Sequence, residues 1–160
     1  MAIALLRVDD RLVHGQVVEG WLPSLQADLI VVVSAAAAAD PVQSALMRMA
    51  MPASVGLLVL GVADAADALH SPQMSARRAL VLVPGPEEAL ALLKSGVFVD
   101  RVNVGGLHFT IGKVQLGRAL FLDEKDKEAL RGIIARGVRL EGRPLPSDPE
   151  EDLAPMLRPA

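Results

Sequence analysis

Apolar residues come in short continuous runs along this chain, and between the runs polar and apolar positions recur with helical spacing. The runs cover residues 3–8, 29–33, 56–60, 79–83, 101–104 and 138–141. Most lack polar alternation, as expected of strands covered on both faces by helices. Asp40-Pro41 marks a helix start, an N-cap followed by proline at the first helical position, and Pro52 closes that helix. Pro86-Glu87-Glu88 opens a second helix with acidic residues in its first turn, ended at Gly96. Asp123 starts a longer one through Glu124, Asp126 and Glu128 to Arg136, with Gly137 as the stop, and a last short helix is predicted after Ser147-Asp148-Pro149. Strands alternating with helices predict an α/β fold, an open, mainly parallel β-sheet with helices on both faces. No linker divides the chain, so residues 1–160 are expected to form a single domain.

Composition narrows the chemistry. Hydrophobic residues make up 52% of the chain but aromatic ones only 2%, so the core is expected to be aliphatic. The formal net charge of −3 provides no global basic field for nucleic acid or an anionic membrane. With no cysteine there is no disulfide, no thiolate nucleophile and no cysteine metal site, which suits a cytoplasmic protein. The N-terminal apolar run is too short for a signal-peptide core, and residues 29–39 fall short of a bilayer span, so no direct membrane insertion is expected. Neither G-x-G-x-x-G after the first strand nor G-x-x-x-x-G-K-[ST] occurs, which disfavours a nucleotide-binding domain. His70 and His108 show no metal-ligand spacing, and no metal or cofactor is expected.

In an open sheet the chemistry gathers in loops at the carboxyl ends of strands. Three loops qualify: residues 9–14, 34–40 and 105–113. The first is the most unusual. Arg7-Val8-Asp9-Asp10-Arg11-Leu12-Val13-His14-Gly15-Gln16 packs two arginines, two aspartates and a histidine directly behind an apolar strand. Gly15-Gln16-Val17 then leads into a helix expected to end near Leu22-Pro23. Guanidinium groups and helix N–H groups around His14 favour an anion such as phosphate. A neutral imidazole is a competent nucleophile toward phosphorus, since its unperturbed pKa of about 6.5 leaves most of it deprotonated at neutral pH. Asp9 or Asp10 could orient the ring or hold an arginine in place. A histidine that merely caps a helix amid a surface ion-pair network would give the same composition.

The segment Arg7-Val8-Asp9-Asp10-Arg11-Leu12-Val13-His14-Gly15-Gln16-Val17 resembles the phosphorylation site of the mannose/fructose/sorbose family of sugar phosphotransferase system enzymes IIB. His70-Ser71-Pro72, Val102-Asn103-Val104-Gly105-Gly106 and Gly137-Val138 with Leu145-Pro146-Ser147-Asp148 extend the likeness along nearly the whole chain. The resemblance implies an open, mainly parallel α/β sheet. It also implies a phosphotransferase activity: His14 accepts phosphate from the partner EIIA domain and passes it to a sugar through membrane IIC/IID subunits. It makes His14 the phosphoacceptor and Arg11 the residue that steadies the phosphate. Arg7, Asp9, Gly15, Gln16, Ser71, Gly105 and Gly106 become phosphate-binding or supporting residues. Ser71 is equally explained by a helix-ending turn, and Gly105 and Gly106 by a tight turn. The chain departs from the family where polar residues commonly follow the second strand: here Ser34 precedes five alanines, residues 35–39. Altered docking there leaves room for a different role, a regulatory phosphoprotein whose His14 controls a partner without sugar transport. Aliphatic-rich domains of this size often self-associate, so a homo-oligomer is also among the expected partners.

Overall fold

The structure, a computed structural model, describes residues 3–117 and 120–158. Met1 and Ala2, at the head of the apolar N-terminal run, and the last two residues of the expected 1–160 domain lie outside them. Nine strands form: β1 (Ile3–Asp9), β2 (Leu29–Val33), β3 (Gly56–Leu60), β4 (Ala79–Val83), β5 (Arg101–Gly106), β6 (Val114–Leu116), β7 (Leu120–Leu122), β8 (Arg139–Gly142) and β9 (Glu151–Asp152) among the described residues. Seven make one sheet in the order β3-β2-β4-β1-β5-β8-β9, all parallel except β9, which runs antiparallel to β8. The helices are α1 (Leu22–Leu25), α2 (Ala35–Ala38), α3 (Pro41–Ala50), α4 (Val62–His70), α5 (Pro86–Lys94) and α6 (Glu124–Ala135). The fold is therefore the single-domain, open, mainly parallel α/β sheet that the alternating pattern predicts.

Alternate strand residues divide the core in two. Leu5, Ile30, Val32, Leu80 and Leu82 point to one face, with Val17, Trp21, Leu22 and Met47 packed over them. Leu6, Val31, Val81, Val83, Val102 and Val104 point to the other, beneath Leu69, Leu92, Leu130 and Ile133 of α4, α5 and α6. Among the aromatic residues only Trp21 is deeply buried, while Phe98 and Phe109 are exposed, so the core is aliphatic as composition requires. At α6 the Asp123 carboxylate accepts from the Asp126 N–H at 2.8 Å, and the Asp126 carboxylate accepts from the Asp123 N–H at 3.1 Å. Gly137, at φ +82°, takes the left-handed conformation that lets the chain leave that helix for β8.

Three local outcomes differ from the sequence expectation. Between β3 and β4 the sequence carries no capping signal, only the helix-ending turn offered for Ser71, yet α4 forms there behind Gly61, which gives no side-chain cap, and buries Ala65, Ala66 and Leu69. After Pro149 the chain first pairs with β8 as β9 and only then makes a 3₁₀ turn, Ala154–Leu157. The helix behind His14 continues past Pro23 to Leu25, because the proline falls in the first turn of α1, where a missing N–H is tolerated.

This topology places the chemistry. The chain leaves β1 toward the Trp21 face, whereas the helices after its neighbours β4 and β5 cover the other face. The carboxyl end of β1 therefore stands at a topological switch point, where an open α/β sheet leaves a crevice. The packing also makes a thermodynamic prediction. Leu130→Ala, at a side chain with no solvent exposure, is expected to cost about 3 kcal/mol. Leu46→Ala, on the exposed face of α3, should stay within about 0.5 kcal/mol of wild type. Urea denaturation of both variants checks this; equal losses would contradict the packing.

Candidate functional site

The loop after β1 is fixed from below. The Leu12 N–H donates to the Asp9 carbonyl at 3.0 Å, and Leu12 adopts φ +59°, a left-handed conformation unusual for a residue with a side chain. Burial of Leu12 and Val13 in the Trp21-side core holds that turn. The same turn leaves Arg11 exposed and His14 half-buried above them. The His14 carbonyl accepts from the N–H groups of Val17 and Val18, both at 3.0 Å, and starts a π-helical stretch, Gln16–Trp21.

Asp9 is the centre of the cluster. One carboxylate oxygen, Oδ1, accepts from the Arg11 backbone N–H at 3.1 Å and from Arg11 Nε at 3.0 Å. The other, Oδ2, accepts from Arg7 Nη2 and Arg11 Nη2, each at 3.0 Å, and lies 3.1 Å from His14 Nε2. Arg11 Nη2 also donates to Gln16 Oε1 at 2.8 Å. Asp9 and Arg7 have 0% exposure, the His14 side chain 17% and the Arg11 side chain 35%. Burial is the largest single influence on the Asp9 carboxyl and opposes its charge. Hydrogen bonds from His14 and Arg11, with the Arg7 charge, together override it and hold the group far below the usual carboxylate range. With Asp9 ionised, its Oδ2 faces His14 Nε2 as an acceptor, so the proton of a neutral imidazole sits on Nε2 and the lone pair on Nδ1.

The structure thus brings together Arg7, Asp9, Arg11, His14 and Gln16. Of the two roles open to Arg7, binding phosphate or supporting the site, burial leaves the second, since that guanidinium has no solvent contact. Its four terminal contacts are Asp9 Oδ2, Asn103 Oδ1 and the carbonyls of Arg143 and Pro144. Burial draws its pKa downward and Asp9 opposes that shift. Gly15 has a right-handed backbone, and a Cβ there would meet nothing within 4 Å, so the space above it is open. Gly105 and Gly106 form neither a turn nor a cradle but are the last residues of β5. A Cβ on Gly105 would lie 2.0 Å from Arg7 Cζ, so this glycine makes room for the buried guanidinium. Gly106 lies beside Arg11 and pairs with Asp9 across a register shift between β1 and β5.

Ser71 is a correction to its placing among the phosphate-supporting residues, and the helix-ending alternative holds. It ends α4, where its hydroxyl donates to the Ala68 carbonyl at 2.7 Å. α4 runs back from the carboxyl end of β3 to the amino end of β4, so Ser71 lies at the edge of the sheet opposite His14. His70 is there too, against the Gly96 carbonyl. His108 follows β5 and pairs through Nδ1 and its backbone N–H with the Asp10 carboxylate, on the edge that carries His14. Asn103, Glu141, Arg143 and Trp21, which complete the surroundings of Arg7, were not among the predicted site residues. The signal for Asn103 and Glu141 is a polar residue inside a buried strand; Trp21, in the π-helical stretch, and Arg143, just past β8, carry none. Among the described residues no group of three or more His, Asp or Glu could hold a metal ion. No helix there is long and apolar enough to cross a membrane.

The geometry defines a class of domain, an open α/β sheet that presents a carboxylate-held histidine beside a part-exposed arginine at its switch point. Comparison with known proteins gives the family. Residues 3–160 match the family described as the PTS system sorbose subfamily IIB component, and the chain belongs to it. It is 36% identical over 158 residues to the fructose-specific EIIB component of Bacillus subtilis, covering 99% of this chain and 97% of that protein. It is 39% identical over 150 residues to the mannose-specific EIIAB component of Escherichia coli, covering 94% of this chain but 46% of that protein. The chain therefore spans about half the length of that relative. The crystal structure of the IIBSor domain of the sorbose permease from Klebsiella pneumoniae superposes with a TM-score of 0.91 at 33% identity, covering 96% of this chain and 94% of that one. As a IIB component, this chain is a phosphotransferase component.

The electrostatics of Asp9 predict a pH signature. Its native pKa is depressed, so its contribution to stability is complete above the unfolded carboxyl pKa of about 3.9 and is lost as pH falls toward the native value. Asp9→Asn should cost about 3–5 kcal/mol at neutral pH by leaving Arg7 buried without a counter-charge. The gap between wild type and variant should narrow below about pH 4. Denaturant unfolding across that range checks it; a constant gap would mean that the Asp9 charge is not what the fold uses.

Proposed function

We propose that this chain is a phosphohistidine carrier of the phosphoenolpyruvate-dependent sugar phosphotransferase system. His14 takes a phosphoryl group from a phosphohistidine on an EIIA domain. It then passes the group to a sugar during uptake through membrane IIC/IID subunits, acting on the cytoplasmic side. The observation that carries this reading is the contact between Asp9 Oδ2 and His14 Nε2, 3.1 Å long, made by a carboxylate with no solvent exposure to a ring that retains some. The fusion named in the mannose-specific EIIAB relative supports EIIA as the donor.

The step balances without an external acid or base. The Nδ1 lone pair of His14 attacks phosphorus as the N–P bond of the donor breaks, and the donor ring leaves as a neutral imidazole. His14 keeps its Nε2 proton and gains positive charge as Nδ1 bonds to phosphorus. The ionised Asp9, already on that proton, stabilises the charge. Arg11 is tied through Nε and Nη2 but partly exposed, and Nη1 can serve the phosphoryl oxygens. The open space at Gly15 leaves the approach clear for a second protein. Transfer onward to the sugar reverses the same exchange of bonds, with a sugar hydroxyl oxygen as nucleophile and its proton lost to a base on the acceptor side.

The alanine helix α2, at the carboxyl end of β2 on the same sheet edge, favours a second reading in which the partner that docks is a regulator. Both readings share the test at His14. Phosphoenolpyruvate, the general phosphotransferase proteins and an EIIA domain should add one acid-labile phosphoryl group to wild type, detected by intact mass, with ¹⁵N–³¹P coupling placing it on Nδ1. His14→Ala should take none. Arg11→Ala should slow uptake about 100-fold, a larger effect than the stability it loses with its two side-chain bonds to Asp9. No adduct on wild type, in a relay that phosphorylates another IIB domain, would overturn the carrier role; an adduct that no sugar-transport subunit can discharge would select the regulatory one.

A further inference from the structure

We propose that Asn103 is a positioning residue for phosphoryl transfer, setting the tautomer of His14 through Arg7 and Asp9; the inference rests on the phosphocarrier reading. Arg7, Asn103 and Glu141 occupy one register row across β1, β5 and β8, each opposite the next. Arg7 and Asn103 have 0% exposure and Glu141 5%. Asn103 Oδ1 accepts from Arg7 Nη1 at 2.6 Å, while Asn103 Nδ2 donates to Glu141 Oε1 and to the Arg143 carbonyl, both at 3.3 Å. These partners fix the direction of the amide. Turned over, it would aim its NH₂ at a guanidinium and its oxygen at a carboxylate.

The amide in turn fixes the guanidinium. With Nη1 held by Asn103, Nη2 falls on Asp9 Oδ2 at 3.0 Å. That oxygen is the one that meets His14 Nε2. Asn103 touches neither the ring nor any place a phosphoryl group can reach, so it acts only by holding Arg7. A leucine there would strip Nη1 of its side-chain acceptor, leave it the Arg143 carbonyl alone, and loosen the seating of the guanidinium on Asp9. An aspartate would keep the acceptor but set a second carboxylate against Glu141. Exchanging the two groups, with the carboxylate on β5 and the amide on β8, keeps the net charge and the connectivity of the row.

That exchange separates positioning from mere support of the fold. Wild type, N103L and the double variant N103D/E141Q are compared in two measurements. Imidazole ¹⁵N shifts of unphosphorylated His14 read the tautomer, and the relay reads kcat and KM for phosphoryl uptake. N103L is expected to lose the preference for the Nε2 proton and to fall about 10–100-fold in kcat with KM unchanged. The double variant should recover both. Should N103L fail to fold, N103S, whose hydroxyl is too short to reach Arg7, carries the same comparison. A folded variant lacking the acceptor but keeping the wild-type tautomer and kcat would overturn the proposal. So would a folded double variant no better than N103L, since that pattern follows stability and not the acceptor. Wild type that takes no phosphoryl group would overturn the carrier reading and this proposal with it; normal uptake by both wild type and N103L would overturn this proposal alone.

Discussion

Arg7 and Asp9 stand two residues apart on the central strand, both charged and both without solvent contact. Stripping either from water carries a penalty of several kcal/mol, and their mutual attraction offsets it only if the remaining hydrogen-bonding groups are also matched. Much of the structure around them meets that condition. β5 supplies Asn103 and, at Gly105, the absence of a side chain; the segment after β8 supplies the carbonyls of Arg143 and Pro144. Trp21 lies under Arg7, its ring centroid 5.1 Å from Cζ, and its indole N–H donates to the same Pro144 carbonyl that Arg7 uses. One carbonyl therefore ties the strand before His14 to the helix after it. Among the described residues the Nε atoms of Arg7 and Arg143 find no hydrogen-bond partner, and both guanidinium groups lie within cation–π reach of Trp21.

The two arginines of the loop divide the work by burial. Arg7 faces inward and is spent on Asp9, whereas Arg11 binds both oxygens of the same carboxylate from outside and keeps part of its surface in solvent. The end of β1 decides which is which. Arg7 shares a face with Leu5 and Asp9, and that face is closed by Trp21 and the segment after β8, whereas Arg11 lies beyond the strand. Asp10, just past the end of β1, is more exposed and binds His108, anchoring the loop after β5 beside the one that carries His14.

Much of this was legible in the sequence, and the illegible part has one physical cause. The runs at residues 29–33, 56–60 and 79–83 became strands with those bounds; the first and third are buried on both faces, and in all three no polar position blurs the ends. The start of α6 at Asp123 and its exit at Gly137 follow from local chemistry that a single sequence displays. The chemical role of His14 was suggested by its neighbours in sequence. The partners of Arg7 were not, because Asn103 and Glu141 are 96 and 38 positions away from their bonding partners and come together only through strand register. A buried polar residue inside a strand is the visible trace of such a row, and Arg7, Asn103 and Glu141 mark it on three adjacent strands. Ser71 shows the opposite failure. Its neighbourhood in the sequence matches the family, but a helix running back along the sheet puts it at the far edge.

On the proposed carrier role, what the site lacks matters as much as what it holds. A carrier must accept a phosphoryl group and release it, so a pocket that bound the product tightly would slow the second half of its task. Asp9 favours the phosphorylated state through the ring proton, which involves the phosphoryl oxygens in no contact. Arg11 is the exposed cation of the cluster and is already shared with Asp9 and Gln16, so its hold on a phosphoryl group competes with bonds it has made. Rigid support for the ring and a light grip on its cargo are separate demands, met here on opposite sides of one carboxylate.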